Sequence, residues 1–303
     1  MQTAALKVPR RRLILHAGTP RTGTTALQIS LQRHSDALLA RGILYPPVDL
    51  KADRSPKHQW LVRALREPER ASTIPEKLGG LLSGLSEDIH TIVLSTEGLF
   101  WHWWDFSVDG RDALQSLQDL VDVQVWVWFR EPVAFSRSLY LQMLVNPQIA
   151  VAWNGRDVSF GEALDISWFQ RQLDYVAYIQ DVENLLGTGS VHPYAYQGNT
   201  VNHFFELIGV DIIDDERAVD HMTPGCLGVD ILRRINRVPL DPSSKARAVE
   251  LIFRLQEAVD QAPFEISDTD ASRVEKMSAP SRRFLSQNYG ITWSGTGTGT
   301  GTT

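Results

Sequence analysis

The sequence predicts an α/β protein: a parallel sheet flanked by helices on both faces, with a mostly helical C-terminal part. Two observations predict it. Four short apolar runs rich in β-branched and aromatic residues alternate with segments of helical period, and beyond residue 220 the helical period continues without such runs.

The runs are RLILHAG (12–18), HTIVLSTE (90–97), VQVWVWFRE (123–131) and SVHPYAYQ (190–197). Each is brief and ends in glycine or polar residues, as a strand buried on both faces does. Between them, TTALQISLQRHSDALLARG (24–42) places Leu27, Leu31, Leu38 and Leu39 at helical spacing and stops at Gly42. SWFQRQLDYVAYIQDVENLLG (167–187) does the same and stops at Gly187. Strand followed by helix followed by strand implies right-handed crossovers and a parallel sheet. Further on, GVDILRRINRV (228–238) and SSKARAVELIFRLQEAVDQ (243–261) read as helices. We read residues 1–292 as a single α/β domain and the low-complexity end, 293–303, as a disordered tail.

Composition narrows the function. The 303 residues are 43% hydrophobic and 22% charged, an ordinary globular balance. A formal charge of −6 argues against a general binder of nucleic acid or anionic membrane. One cysteine, Cys226, excludes an intramolecular disulfide and a cysteine-cluster metal site. No apolar run approaches the ~20 residues of a membrane span. The basic start MQTAALKVPRRRLILHAG carries an apolar stretch too short for a signal peptide. These features lead us to expect a soluble, cytoplasmic protein.

The stretch HAGTPRTGTTALQ (16–28) carries the chemistry. A strand runs into a glycine-rich turn and then a helix starting near Thr24, so backbone N–H groups and the helix dipole converge on one anion-sized spot. Gly18 and Gly23 allow close backbone approach, and Thr24 and Thr25 add hydroxyls. Against the nucleoside-triphosphatase pattern G-x-x-x-x-G-K-[ST], the two glycines are correctly spaced. Thr24, however, stands where the lysine belongs, and the basic residue has moved to Arg21. A glycine-rich turn without a ligand is the alternative.

A second segment, VWVWFREPVAFSRSLYLQ (125–142), delivers Arg130 from a strand end, places Pro132 at a first helical position, and sets Ser138 eight residues after Arg130. An arginine leaving a strand and a serine on the adjoining helix can grip one phosphate, the arginine through two parallel hydrogen bonds. The alternative is an arginine paired with Glu131 or another surface carboxylate.

Together these segments resemble the sulfotransferases that use 3′-phosphoadenosine 5′-phosphosulfate (PAPS). In that family a P-[KR]-[ST]-G-T-T loop grips the 5′-phosphosulfate, here PRTGTT (20–25). A strand followed by R-x-P and a serine grips the 3′-phosphate, here REPVAFSRS (130–138). VSFGEAL, SVHPYAYQ and DILRRIN follow in the order of the bacterial and carbohydrate-type branch. The resemblance implies a P-loop-like fold and a PAPS-binding set of Arg21, Thr22, Gly23, Thr24, Thr25, Arg130 and Ser138, with PAP as product. Sulfuryl transfer needs no obligatory Mg²⁺, and TIVLSTE has Ser95 where a metal-binding aspartate would end the strand.

For the base that activates the acceptor, Glu97 comes first, at the end of HTIVLSTE, with a helix N-terminal carboxylate as its alternative role. His58, in RSPKHQWLVRAL, comes second; His16 reads as packing or orienting the loop, and His102 stays undecided. The aromatic run LFWHWWDF (99–106) reads equally as an acceptor-pocket wall or as a buried aromatic helix. Tyr194, Tyr196, Arg282 and Arg283 are weaker nucleotide contacts. The acceptor is expected to be a hydroxyl or amine of a glycan, lipid or small molecule. Two other readings stay open: a P-loop kinase using Mg·ATP, and a non-enzymatic nucleotide-binding module.

Overall fold

The computed structural model describes residues 10–47, 56–147, 154–213, 223–259 and 262–293. In chain order the elements are β1 (Arg12–His16), α1 (Thr24–Arg33), α2 (Ser35–Leu39), β2 (Ile43–Leu44), α3 (Gln59–Arg66), α4 (Thr73–Ser83) and β3 (Thr91–Ser95). There follow α5 (Gly98–Trp101), α6 (Val108–Ser116), β4 (Asp122–Phe129), α7 (Pro132–Val145), α8 (Phe160–Ala163), α9 (Ser167–Leu173) and α10 (Tyr175–Leu186). The chain continues through β5 (Val191–Ala195), α11 (Thr200–Leu207), α12 (Cys226–Ile235), α13 (Pro242–Ala258) and α14 (Asp268–Tyr289). The chain divides into two compact units, Met1–Phe129 with Ala177–Glu216, and Arg130–Val176 with Arg217–Thr303.

The first unit holds the sheet, five strands in the order β2-β3-β1-β4-β5, all paired in parallel. Each of the four predicted runs forms a strand, and the α/β class is as the sequence predicts. The register sets His16 opposite both Ser95 and Trp126, so β1 and β3 end level and the residues after them leave the same sheet edge. On one face Ile14, Val93, Trp126 and Trp128 pack against Leu27 and Leu31 of α1, Leu38 of α2, and Phe204 and Phe205 of α11. On the other, Phe129 meets Phe100 of α5 and Tyr178 of α10, with ring centroids 6.1 and 6.3 Å away. Burying a large apolar side chain contributes roughly 1.5–3 kcal/mol, so these two aromatic layers are the main stabilising mass of the unit.

In the second unit, α7 is closed at its C-terminal end by side chains from α12 and α13. Lys245 Nζ and Asn236 Nδ2 both donate to the Leu144 carbonyl, at 2.9 and 3.2 Å. They satisfy an acceptor that every helix C-terminus leaves open.

The structure departs from the periodicity at three places. The segment 24–42 forms two helices because His34, at φ −97° and ψ 15°, leaves helical dihedrals. The segment 167–187 likewise breaks at Asp174, at φ −91° and ψ 76°. The edge strand β2 is only two residues long, too short to show as an apolar run. The expected tail beyond Trp293 and the basic start, residues 1–9, lie outside the described residues.

Candidate functional site

The loop after β1 is shaped from within. Thr19 Oγ1 donates to the Trp128 carbonyl at 2.6 Å, and Thr22 Oγ1 donates to the Thr19 carbonyl at 2.7 Å. From α11, Thr200 Oγ1 donates to the Thr22 carbonyl at 2.6 Å. These three hydroxyls fasten the loop to β4 and α11. Thr22, expected among the nucleotide-binding residues, is fully buried, with its hydroxyl and its carbonyl both committed inside the fold.

Two residues of the loop turn left-handed: Gly23 at φ 77° and, unusually for a residue with a side chain, Arg21 at φ 66°. Left-handed backbone costs an L-residue of this kind about 1–2 kcal/mol, and such strain concentrates at functional loops. Left-handed residues in a tight turn are the backbone from which anion nests are built.

Gly18 is required by close packing rather than by dihedral angle. A methyl group there would stand 2.1 Å from Thr24 Oγ1. Thr24 opens α1, and its Oγ1 is buried without a hydrogen-bond partner among the described residues. Helix α1, like α3, α4 and α12, has no side-chain cap at its start. Its N-cap is Gly23, no side chain caps it, and no acidic residue lies in its first turn. By contrast, α6, α7, α11, α13 and α14 are capped by Ser107, Glu131, Asn199, Asp241 and Ser267. The first-turn N–H groups of α1 thus remain donors for an anion.

At the same sheet edge, β3 leads through Thr96 to Glu97, the N-cap position of α5. Glu97 provides no side-chain cap to that short helix. Desolvation pushes its carboxyl above the usual carboxylate range, while the positive charges of Lys57 and Arg21 pull it back part of the way. Glu97 thus lies within the electrostatic reach of Arg21 of the loop.

His58 is engaged at both ring nitrogens. The Ser95 N–H donates to its Nδ1 at 3.0 Å, so the proton sits on Nε2, which donates to the Pro46 carbonyl at 3.2 Å. The ring also meets Tyr45 edge-on at 4.9 Å between centroids. Burial lowers its pKa to about 4. A histidine whose lone pair already accepts a backbone N–H has nothing left to take a substrate proton, and here it braces the ends of β2 and β3. His16 is a second buried brace. Its Nδ1 lies 2.7 Å from Ser95 Oγ, which also accepts from Gln28 Nε2 at 3.1 Å. Its pKa is lowered to about 3 by burial.

The aromatic run after Glu97 divides. Phe100, Trp103 and Phe106 are buried, and Trp103 Nε1 donates to Asp181 at 2.6 Å. Trp101 and Trp104 keep partial exposure. His102 sits 3.1 Å from Asp105. Most of the run is core, as its helical alternative predicts. Tyr194, expected near a nucleotide, lies against Trp128 with centroids 4.8 Å apart, packed on the α11 side of the sheet.

The second unit carries the other predicted phosphate ligands. Arg130 follows β4 directly, and its carbonyl accepts from the Tyr175 hydroxyl at 3.0 Å. Glu131 Oε2 accepts from the Ala134 N–H at 2.7 Å, capping α7 after which Pro132 begins the helix. The other carboxylate oxygen of Glu131 pairs with Arg282. Arg282 also lies over the Trp293 ring, at 5.8 Å. Glu131 is thus the partner of Arg282. Ser138 lies partly exposed on α7, and Arg283 is exposed.

No family model matches the chain, and no curated protein matches it. Among solved structures it is similar to a sulfotransferase from Alicyclobacillus acidocaldarius, at 14% identity, covering 78% of this chain and 98% of that one, with a TM-score of 0.43. Among the described residues no group of three or more His, Cys, Asp and Glu side chains is placed to hold a metal ion, and no helix is long and apolar enough to cross a membrane.

Proposed function

We propose that the chain transfers a sulfuryl group from PAPS to a hydroxyl or amine of a glycan, lipid or small-molecule acceptor. The observation that carries this reading is the left-handed turn at Arg21 and Gly23 leading into the uncapped start of α1, where the Thr24 hydroxyl is buried without a partner. Gly23 caps it without a side chain, its first turn is free of acid, and Arg21 replaces the lysine of a triphosphatase loop. The fit of a phosphosulfate is supported by two features: the glycine at 18, where any side chain would collide with Thr24, and the unpartnered Thr24 hydroxyl.

In this reading the 5′-phosphosulfate is held by backbone N–H groups of residues 23–25 and by the Thr24 and Thr25 hydroxyls, with Thr22 shaping the loop from within. Arg21 meets the charge that develops on the leaving phosphate oxygen. Glu97 takes the acceptor proton as the acceptor atom bonds to sulfur, and the bond from sulfur to the phosphate oxygen breaks, releasing PAP. Its position, desolvated and flanked by two cations, favours it over His58, whose ring nitrogens are both occupied. In the second unit, Arg130 and Ser138 are assigned the 3′-phosphate, and Arg282, held by Glu131, a supporting place beside them.

The test is PAPS turnover over a panel of hydroxyl and amine acceptors, read as PAP release without added metal. Wild-type transfer that disappears in Glu97→Gln while PAP still binds supports the reading. PAP binding with no transfer to any acceptor, unaffected by Glu97→Gln, leaves the nucleotide-binding module instead.

A further inference from the structure

Three candidates lie outside the residues already assigned: a polar cleft along α11, the buried Lys245, and an exposed apolar stripe on α13. The first is a cavity of about 440 Å³ lined by Trp128, Gln197, Asn199, His203 and Glu206, with no feature that selects a ligand. Lys245 is satisfied by Leu144 and Asn236 and serves the end of α7. The stripe carries an inference furthest.

Helix α13 has two apolar faces. One is used by the fold: Val249 and Ile252 are buried, and a methyl group added at Gly228 of α12 would stand 3.4 Å from Ile252. On that side Gln256 accepts from the Gly225 N–H at 3.1 Å and donates to the Thr223 carbonyl at 2.8 Å. The other face points to solvent. Leu251 and Leu255 are 65% and 44% exposed, Ala258 is exposed, and Ala248 is partly so. Ala248, Leu251, Leu255 and Ala258 follow one another at intervals of three, four and three residues. That is the repeat by which one helix packs lengthwise on another, and the alanines allow close approach.

The charges beside the stripe select its partner. Arg247, Glu250, Arg254 and Glu257 run along one flank at the same intervals, alternating in sign, and all four are exposed. Two antiparallel copies related by a two-fold axis set this flank against itself. An axis across Ile252 brings Arg247 against Glu257 of the second copy, and Glu250 against its Arg254. An axis across Phe253 brings Leu251 against Leu255 and Ala248 against Ala258. The two axes differ by one residue, about 1.5 Å along the helix, which long Arg and Glu side chains absorb. One antiparallel arrangement therefore serves the apolar seam and the charges together. A parallel pairing would set the charged flank against the one carrying Gln256 and Val259, which offers no charge.

We propose that α13 is a self-association surface through which two copies of the chain pair antiparallel. Ala248, Leu251, Leu255 and Ala258 form the seam, and the Arg247–Glu257 and Glu250–Arg254 pairs across the axis fix its register. The seam is a single helix of 17 residues, smaller than a standard interface of about 800 Å² per partner, so the dimer is reversible at micromolar concentration. The inference is independent of the sulfotransferase reading.

Sedimentation velocity of the full chain from about 1 to 100 µM tests it. The wild-type mass should move from one chain toward two as concentration rises. Leu251→Glu with Leu255→Glu should stay monomeric throughout, since both leucines are exposed and the change leaves the buried face of α13 intact. Glu250→Arg and Arg254→Glu, each alone, set like charges across the axis and should raise the dimer dissociation constant about tenfold. Combined, they exchange the signs and should restore association to within about threefold of wild type. These two side chains are exposed, so the charge series gives the readout if the leucine variant fails to fold. Wild type that remains monomeric at every concentration overturns the proposal, as does a dimer that survives the paired leucine substitutions. A dimer indifferent to the single charge reversals overturns the antiparallel pairing and the assignment with it.

Discussion

Acidification should unfold the sheet-bearing unit through two histidines before any carboxylate chemistry matters. His16 and His58 are both fully buried, and burial lowers their pKa values to about 3 and about 4. An exposed histidine titrates near 6.5, so between that pH and the lowered values the unfolded chain binds protons that the folded one refuses. The stability these groups contribute is present above about pH 6.5 and is lost as the pH falls. At pH 5 both remain neutral in the fold, and each costs roughly 2 kcal/mol relative to neutral pH, or about 4 kcal/mol for the pair. That is a large share of a total stability of roughly 5–15 kcal/mol. Half-buried His192, lowered by desolvation, adds to the same trend, whereas Glu97, raised by desolvation, offsets part of it. The assay is urea unfolding followed by tryptophan fluorescence at pH 7.5, 6 and 5. His58→Gln keeps an acceptor for the Ser95 N–H and a donor for the Pro46 carbonyl without a titratable ring. It should roughly halve the dependence on pH. A stability that stays flat from pH 6.5 to 5, or a slope that His58→Gln leaves unchanged, would refute the argument.

Three further outcomes follow from the loop and its neighbours. Gly18→Ala sets a methyl 2.1 Å from Thr24 Oγ1 and 2.5 Å from its Cγ2, so it should cost about 3 kcal/mol or displace the loop, with part of the loss recovered by adding Thr24→Ala; thermal melts of the single and double variants decide. Gly23→Ala has room, with its nearest neighbour at 3.6 Å, and should cost only about 1–2 kcal/mol through its positive φ of 77°, an effect that Thr200→Ala does not relieve. Glu97→Gln should lower turnover by roughly 10²–10⁴-fold with unchanged PAP affinity, and the acid limb of the wild-type rate profile should lie above the ordinary carboxylate range.

The central strands β1, β3 and β4 were legible because each carries a continuous buried apolar stretch, and β5 because its short run is rich in β-branched and aromatic residues. The breaks at His34 and Asp174 were not, because the apolar period runs through both turns and only the backbone angles betray them. At the site, the spacing of Gly18, Gly23 and Thr24 announced the loop, and the strand end announced Glu97. What the sequence hid was direction. Thr22 and Thr25 look alike as letters, yet the Thr22 hydroxyl turns inward to Thr19. His58 looked like a base because the bonds that occupy its ring come from Ser95 and Pro46, distant residues that no local pattern reveals.

The measurement that tests the central claim most directly is thermal stabilisation by PAP without metal, beside ATP with Mg²⁺. A ligand at a hundred times its dissociation constant adds about 2.7 kcal/mol, a clear shift of the melting midpoint. The sulfotransferase account predicts a shift with PAP that is lost in Arg21→Ala and in Arg130→Ala, and little shift with Mg·ATP. A shift with Mg·ATP alone would contradict it and make the loop that of a kinase.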